Sequence, residues 1–243
     1  MELKRFYCAP DAISDNFGLL AESETHHLRD VIRLKSGDKI RVFDGVGNEF
    51  DCRIRKIGRN STEFEITGRV APAAAESPLD LTIAAVILKG DKFDYTIQKA
   101  VELGVKRLVP LRSEFCAAPT DTSGKRLERW RKIALEATKQ CGRACLMQVS
   151  EPRLFQDAAA ELAAGNSKCI QFSERMGRKF SLSGKIEKIT AFIGPEGGWS
   201  DRELELAKKL NIEQVTFGGR IMKADTAAVA IVSILQHLFG DLN

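Results

Sequence analysis

Hydrophobic and polar positions change rhythm once along this chain. In the first seventy residues they alternate in short runs. "DKIRVFDG" and "EFDCRIRKI" flank Gly45-Val46-Gly47-Asn48, and "TEFEITGRV" alternates again with Phe64 and Ile66 on one face. Period-two runs around a glycine-rich turn predict half-buried strands and a hairpin. One short helix, "ETHHLRDVIR", interrupts them. Several short strands with one helix predict a small, mostly antiparallel β-barrel. "APAAAESP", Ala71 to Pro78, is rich in alanine and bracketed by prolines, which is a linker composition. Two domains are therefore expected, over residues 1–72 and 73–243.

Beyond the linker the apolar runs become continuous. "LTIAAVIL", "RLVPL", "KCIQF", "ITAFIG" and "EQVTFG" read as strands. Helical patterns lie between and after them: "DKFDYTIQKAVELG", a long segment from about Ser123 to Cys141, "FQDAAAELAAG", "DRELELAKKL" and Thr226 to Phe239. Apolar strands alternating with helices predict an α/β domain whose parallel sheet is covered on both faces. Gly104 stands where it can end the first of these helices. Ser200 and Glu203 form an S-x-x-E capping box that starts another. The last helix is apolar on nearly every side, so more than one of its faces must be covered.

Composition narrows the class. A chain of 243 residues holds one large domain or two modest ones. Its six cysteines make no disulfide framework at this size. Cys141 and Cys145 are spaced as helix neighbours, but no second pair and no nearby histidine completes a zinc site, so no metal is expected. No apolar run approaches the roughly 20 residues of a membrane span. "MELKRFYCAPD" lacks the apolar core of a signal peptide. A cytoplasmic protein with no membrane partner is the expectation.

Net charge is only +4, but its distribution is uneven. Residues 1–72 hold 12 Lys and Arg against 12 Asp and Glu, so the remainder carries the whole excess. Gly124 to Arg143 has seven basic residues and two acids. A basic helix with a tryptophan is either a phosphate-facing surface or a solvated face.

The candidate chemistry lies late in the chain. "AFIGPEGGWSDRE", Ala191 to Glu203, ends a strand in three glycines, a proline and one acid, and then enters a helix. The next strand ends in the same way, in "FGGRIMKADTA". Glycines at such points serve unusual dihedrals or a ligand pressed against the main chain, and the carboxyl ends of parallel strands are where open sheets bind ligands. The P-loop, the dinucleotide fingerprint and the hydrolase elbow are all absent. Two bare loops at successive strand ends predict one shared small-molecule site.

These residues, with "KFDYTIQKAVELGV", "RW" and "QCGR" upstream and "RFY", "HHLRDVIRLKSGD" and "FDG" in the first domain, resemble the RsmE family of the SPOUT superfamily. The resemblance covers nearly the whole chain and is most specific at the GPEGG stretch. It implies S-adenosyl-L-methionine-dependent methylation of N3 of one uridine in small-subunit (16S) ribosomal RNA, the assembled subunit being the expected substrate. It also implies a PUA-like first domain that helps hold RNA, a C-terminal trefoil knot, and a homodimer through the knot domain. The cofactor would lie bent in the knot against Phe172, Gly194, Pro195, Glu196, Gly197, Gly198, Phe217, Gly218, Ile221 and Met222. Two readings stay open beside this one: another SPOUT enzyme acting on a different base or ribose 2′-OH, and a non-catalytic RNA-binding or ribosome-assembly factor.

Four positions depart from the family pattern. Ser113-Glu114-Phe115 has lost the arginine of Ser-Glu-Arg. Met222, Lys223 and Asp225 stand for Leu, Arg and Glu. The lysine gives up a bidentate fork, and the aspartate draws its carboxylate back by one methylene.

Methyl transfer from a sulfonium is an in-line displacement, so positioning supplies much of the rate. The N3 proton of uracil must leave before or during attack, which calls for a carboxylate base or a cation that stabilises the uracilate. Asp225 and Lys223 are the candidates. Asp225 is equally a candidate to cap the last helix. Lys4, Arg5, Arg29, Arg33 and Arg143 are candidate phosphate contacts, and the resemblance favours Arg5, Arg33 and Arg143 among them.

Overall fold

The computed structural model describes residues 3–119, 124–174, 177–181, 183–217 and 220–242. The chain divides into two compact units. The first is Met1–Glu76 with Thr138–Leu146, and the second is Ser77–Ala137 with Met147–Asn243. The boundary thus falls after Glu76 instead of residue 72, and a segment far along the chain joins the first unit.

The first unit contains strands β1 (Arg5–Tyr7), β2 (Phe17–Leu20), β3 (Lys39–Phe43), β4 (Glu49–Ile57) and β5 (Thr62–Val70). They form one sheet in the order β1-β3-β4-β5-β2. β1 runs parallel to β3, and the other pairings are antiparallel. The β3–β4 turn is held by Asp44, whose Oδ1 accepts from the Val46 and Asn48 amides at 2.9 and 3.0 Å. One face of the sheet buries Phe6, Leu20, Ile40, Val42, Ile54 and Phe64.

The single helix expected over residues 24–33 is two pieces: α1 (Glu22–His26) and a π-helical turn over His27–Ile32. Arg33 ends the turn in the left-handed conformation at φ 64°, where glycine is the usual occupant.

Arg5 explains why Thr138–Leu146 belongs here. Its Nη1 donates to the carbonyls of Thr138 and Lys139, at 3.3 and 2.8 Å, and its Nη2 to those of Gly142 and Arg143, at 3.3 and 3.0 Å. Lys139 Nζ lies 2.9 Å from buried Glu24. An ordered cation is matched to carbonyls that a helix end leaves without partners.

The second unit is built on β6 (Asp80–Val86), β7 (Arg107–Arg112), β8 (Gln148–Val149), β9 (Arg153–Leu154), β10 (Lys168–Phe172), β11 (Arg178–Lys179), β12 (Lys188–Ile193) and β13 (Glu213–Thr216). The order is β11-β13-β10-β12-β6-β7-β8, with β9 also on β7, and every pairing is parallel. The helices are α2 (Lys92–Glu102), α3 (Lys125–Cys141), α4 (Phe155–Ala163), α5 (Asp201–Lys209) and α6 (Ala224–Phe239); the last residues of α3 lie in the first unit.

After Asp80, all of β6 is buried, as a sheet covered on both faces requires. Gly104 takes φ 77° just past α2, as its position predicted. Phe155 packs on Trp199 and Phe192, with ring centroids 4.9 and 6.0 Å away, in the core beneath α4 and α5. No helix among the described residues is long and apolar enough to cross a membrane.

Candidate functional site

The carboxyl ends of β10, β12 and β13 open on one cavity of about 590 Å³. This lies within the roughly 300–1,000 Å³ of small-molecule sites. Phe172, Ile193, Val215 and Phe217 give it apolar walls, and Gly194 to Gly198 give it a wall of bare main chain. The rings of Phe172 and Phe217 are 5.2 Å apart, and Phe180 packs on both.

The glycine loop is held from below. Trp199 Nε1 donates to the Phe172 carbonyl at 2.8 Å, which ties the loop after β12 to the end of β10. The capping box predicted for α5 is present in both directions. The Glu203 amide donates to Ser200 Oγ at 3.3 Å, and the Ser200 amide donates to Glu203 Oε2 at 3.0 Å.

Gly198 has φ 74°, and a Cβ there would stand 2.5 Å from Glu174 Oε1. At Gly194 a Cβ would press on the Trp199 ring at 3.1 Å. These glycines leave main chain where a side chain would intrude.

Phe172, Gly194, Pro195, Glu196, Gly197, Gly198, Phe217, Ile221 and Met222 all line this cavity. Gly218 lies outside the described residues. Ser173, Glu174, Thr216 and Arg220 line it as well and were missed. The signal available for them was their place directly after β10 or beside the second glycine pair.

Lys223 and Asp225 are not brought together. Lys223 lines the cavity and is the residue preceding α6. Asp225 lies on another face of the first turn of α6, bordering a shallow depression with Tyr95, Thr226, Val229 and Ala230. As a helix cap Asp225 is also displaced: the cap position is Lys223, whose side chain makes no capping bond. The Asp225 carboxylate instead accepts the Thr226 amide at 3.0 Å, a first-turn acid satisfying a helix-start donor. Lys92, at the start of α2, donates to Glu196 at 2.9 Å. That hydrogen bond, with a smaller pull from Asp225, raises the Lys92 ammonium above its ordinary pKa.

The five basic candidates separate in the same way. Arg143 is 4% exposed and bound to Glu76 through Nε and Nη2. Arg5 spends its donors on Glu49 and four carbonyls. Both guanidinium groups are thus committed inside the unit, which argues against either as a phosphate contact. Arg29 is partly exposed, but its fork is on Asp30 and the carbonyls of Gly58 and Arg59. Lys4 and Arg33 are exposed, and no ion pair involves either among the described residues. No group of acids, histidines and cysteines there could hold a metal ion.

A family model for an RNA methyltransferase domain matches residues 75–236, and one for the PUA domain of RNA methyltransferases matches residues 20–67. Fold and site together define an RNA methyltransferase with an N-terminal PUA domain. Ribosomal RNA small subunit methyltransferase E of Buchnera aphidicola subsp. Schizaphis graminum is 30% identical over 226 residues, 92% of each chain. The crystal structure of the enzyme of that name from Neisseria gonorrhoeae, bound to S-adenosyl methionine, superposes with a TM-score of 0.90 at 31% identity over 100% of both chains. A methyltransferase from Legionella pneumophila, solved with bound cofactor, gives 0.90 at 25% identity over the same extent. The chain belongs to the ribosomal RNA small subunit methyltransferase E family.

Proposed function

We propose that this protein methylates N3 of one uridine in 16S ribosomal RNA, using S-adenosylmethionine bound in the cavity at the carboxyl ends of β10, β12 and β13. The observation that carries this reading is that nine of the ten residues expected around the cofactor line that one cavity, within a chain of this family.

The cavity suits the cofactor chemically. Phe172, Phe217 and Ile193 offer apolar walls to an adenine, bare main chain at Gly194 to Gly198 allows close approach, and the carboxylates of Glu174 and Glu196 border the space for a cation. When bound, S-adenosylmethionine supplies an electrophilic methyl group on sulfur. Lys223, on the cavity wall, stabilises the negative charge left on the uracil as its N3 proton departs. Asp225 lies on another face of the first turn of α6, outside the cavity. As the proposed acceptor of that proton, it serves a uracil that reaches past the cavity rim.

The knot belongs to the same reading. β13 lies next to the edge of the sheet, yet α6 packs against β12 and α2, so the chain returns across the sheet after β13. A homodimer through this domain would cover the side of α6 that carries half-buried Val229, Ala230 and Ile234 and exposed Leu238, with Tyr95 of α2 near its start. The small ribosomal subunit is the proposed partner, and the cytoplasm the place of action.

Mass spectrometry of 16S RNA from a deletion strain and its parent tests this. 3-Methyluridine should be missing from one position in the deletion strain. Purified protein with S-adenosylmethionine should restore it on isolated small subunits. An unchanged 3-methyluridine content would overturn the reading, and loss of another methylated nucleoside would redirect it to a different base or ribose.

A further inference from the structure

Phe115 is a large aromatic side chain left 46% exposed beside the glycine loop. It follows β7, at the same carboxyl edge of the sheet as the cavity, and β7, β6 and β12 are neighbours there. A Cβ placed on Gly197 would stand 3.0 Å from Phe115 Cβ and 3.6 Å from Cγ. The base of the ring therefore rests against the loop that walls the cavity.

The segment that carries Phe115 is fixed. The Glu114 amide donates to Glu203 Oε1 at 2.9 Å, the second oxygen of the acid that caps α5. Cys116 closes a turn onto the Ser113 carbonyl at 3.2 Å, and its thiol donates to the Ile87 carbonyl at 3.4 Å. A ring carried on a segment held this firmly needs less further ordering when a partner stacks on it.

Basic residues lie on the same loops, alongside the exposed acid Glu114. Lys89 is exposed on the loop after β6. Arg112 and Arg126 both donate to the Pro119 carbonyl, at 3.0 and 2.9 Å, four residues on from Phe115. An exposed aromatic beside a loop that walls the cavity, with cations on neighbouring segments, fits single-stranded RNA, whose unpaired bases stack on aromatic faces while cations meet the phosphates.

We propose that Phe115 is a stacking platform for an unpaired nucleobase of the RNA substrate. This rests on the reading above that RNA is the acceptor. It assigns the ring a part in holding RNA and none in holding the cofactor.

The test compares the parent with Phe115→Leu and Phe115→Tyr. Leucine keeps a Cβ and Cγ against Gly197 but loses the π-face, whereas tyrosine keeps it. Three quantities are measured: S-adenosylmethionine affinity by calorimetry, KM for small subunits from the deletion strain, and affinity for a uridine-rich single-stranded oligonucleotide. Stacking lost from one base weakens binding by about 5- to 150-fold. Phe115→Leu should raise KM and weaken oligonucleotide binding on that scale, leave the cofactor affinity alone, and be matched by a near-parental Phe115→Tyr. Parental values for leucine in both RNA measurements would overturn the proposal. So would a loss of cofactor affinity in the leucine variant, which would make the ring a prop for the loop. If the parent methylates no small subunits, the functional reading fails by itself, and the oligonucleotide measurement still decides the platform.

Discussion

Arg5 and Glu49 form a two-point ion pair inside the N-terminal unit. Nε donates to Oε1 at 2.9 Å and Nη2 to Oε2 at 3.1 Å, and the Glu49 side chain is fully buried. The same guanidinium holds four carbonyls between Thr138 and Arg143. Breaking a buried pair by removing one partner typically costs about 3–5 kcal/mol, because the other charge is left uncompensated. Arg5→Ala should therefore lower the unfolding midpoint of this unit strongly. Arg5→Lys should fall between it and the parent, since a lysine keeps the charge but cannot make the fork. Urea unfolding followed by circular dichroism reads both. A midpoint in Arg5→Ala equal to the parent's would show that the pair carries no stability.

Gly197 and Gly198 are adjacent but make different demands. Gly198 has φ 74°, and a Cβ there meets Glu174 Oε1 at 2.5 Å. Gly197 has no positive φ, but a Cβ there would press on Phe115 Cβ at 3.0 Å. A left-handed backbone costs a residue with a Cβ about 1–2 kcal/mol. Gly198→Ala should lower stability by about that much and weaken S-adenosylmethionine binding in calorimetry by more than tenfold. Gly197→Ala should change both less, because it carries no left-handed cost. Equal cofactor affinity in the two variants would remove the bare backbone at Gly198 from the binding site.

The contrast between these glycines marks what a single chain discloses. The capping box of Ser200 and Glu203 is a local device, three residues long in its spacing, and it is legible in the residues alone. So are the strands whose carboxyl ends build the cavity, because continuous burial writes continuous apolar runs. Arg5 is not legible. It resembles any surface arginine until the fold brings Glu49 and the end of α3 to it, over separations of 44 and more than 130 residues. Nor is the π-helical turn before Arg33, because nothing but the register of its hydrogen bonds distinguishes it from a helix. β1 and β2 are too short to show a period. The faces of α6 that separate Lys223 from Asp225 depend on where the helix begins, and helix ends are the least legible boundaries.

Burial separates the six cysteines by reactivity. It pushes the Cys8 thiol up to about 11 and the Cys52 thiol up to about 12, and it raises Cys169 as well. The thiolate is the reactive form, and at pH 8 only about one Cys8 thiol in a thousand would be ionised. Iodoacetamide on the native protein at pH 8 should label Cys116, Cys141 and Cys145 ahead of the buried three, read by peptide mass spectrometry. The sign for stability follows from the same direction. An unfolded thiol ionises near 9.0, so the folded state keeps its full advantage below that pH and loses it as pH rises toward 11. Rapid native labelling of Cys8 or Cys52 at pH 8 would contradict their burial.

Leu238 and Tyr95 are each 45% exposed, on α6 and α2, with half-buried Val229 and Ala230 on α6. A single chain leaves this side of a strongly apolar helix uncovered, and a second copy would cover it. Light scattering at micromolar concentration should give the mass of a dimer. Val229→Glu with Leu238→Glu should give a folded monomer. A monomeric parent would end the dimer proposal without touching the cavity.

Asp225 and Lys223 divide the start of α6 between two faces, and the chemistry tests whether both face the acceptor. Asp225 accepts the Thr226 amide at 3.0 Å, and asparagine can keep that bond because its carbonyl also accepts. Asp225→Asn should therefore melt almost as the parent does and bind S-adenosylmethionine as tightly, since Asp225 does not line the cavity at the carboxyl ends of β10, β12 and β13. If its carboxylate takes the N3 proton, turnover on small subunits should fall ~10²–10⁴-fold, the usual contribution of a general base. Asp225→Glu restores the longer acid of the family pattern and should keep much of the activity. Lys223→Met keeps the length of the side chain but removes the cation from the cavity wall. It should slow turnover, and raising the pH should recover part of the loss by helping the uracil ionise in solution. The base is sought in solvent or elsewhere if Asp225→Asn turns over like the parent; the carboxylate then serves only the first turn of α6.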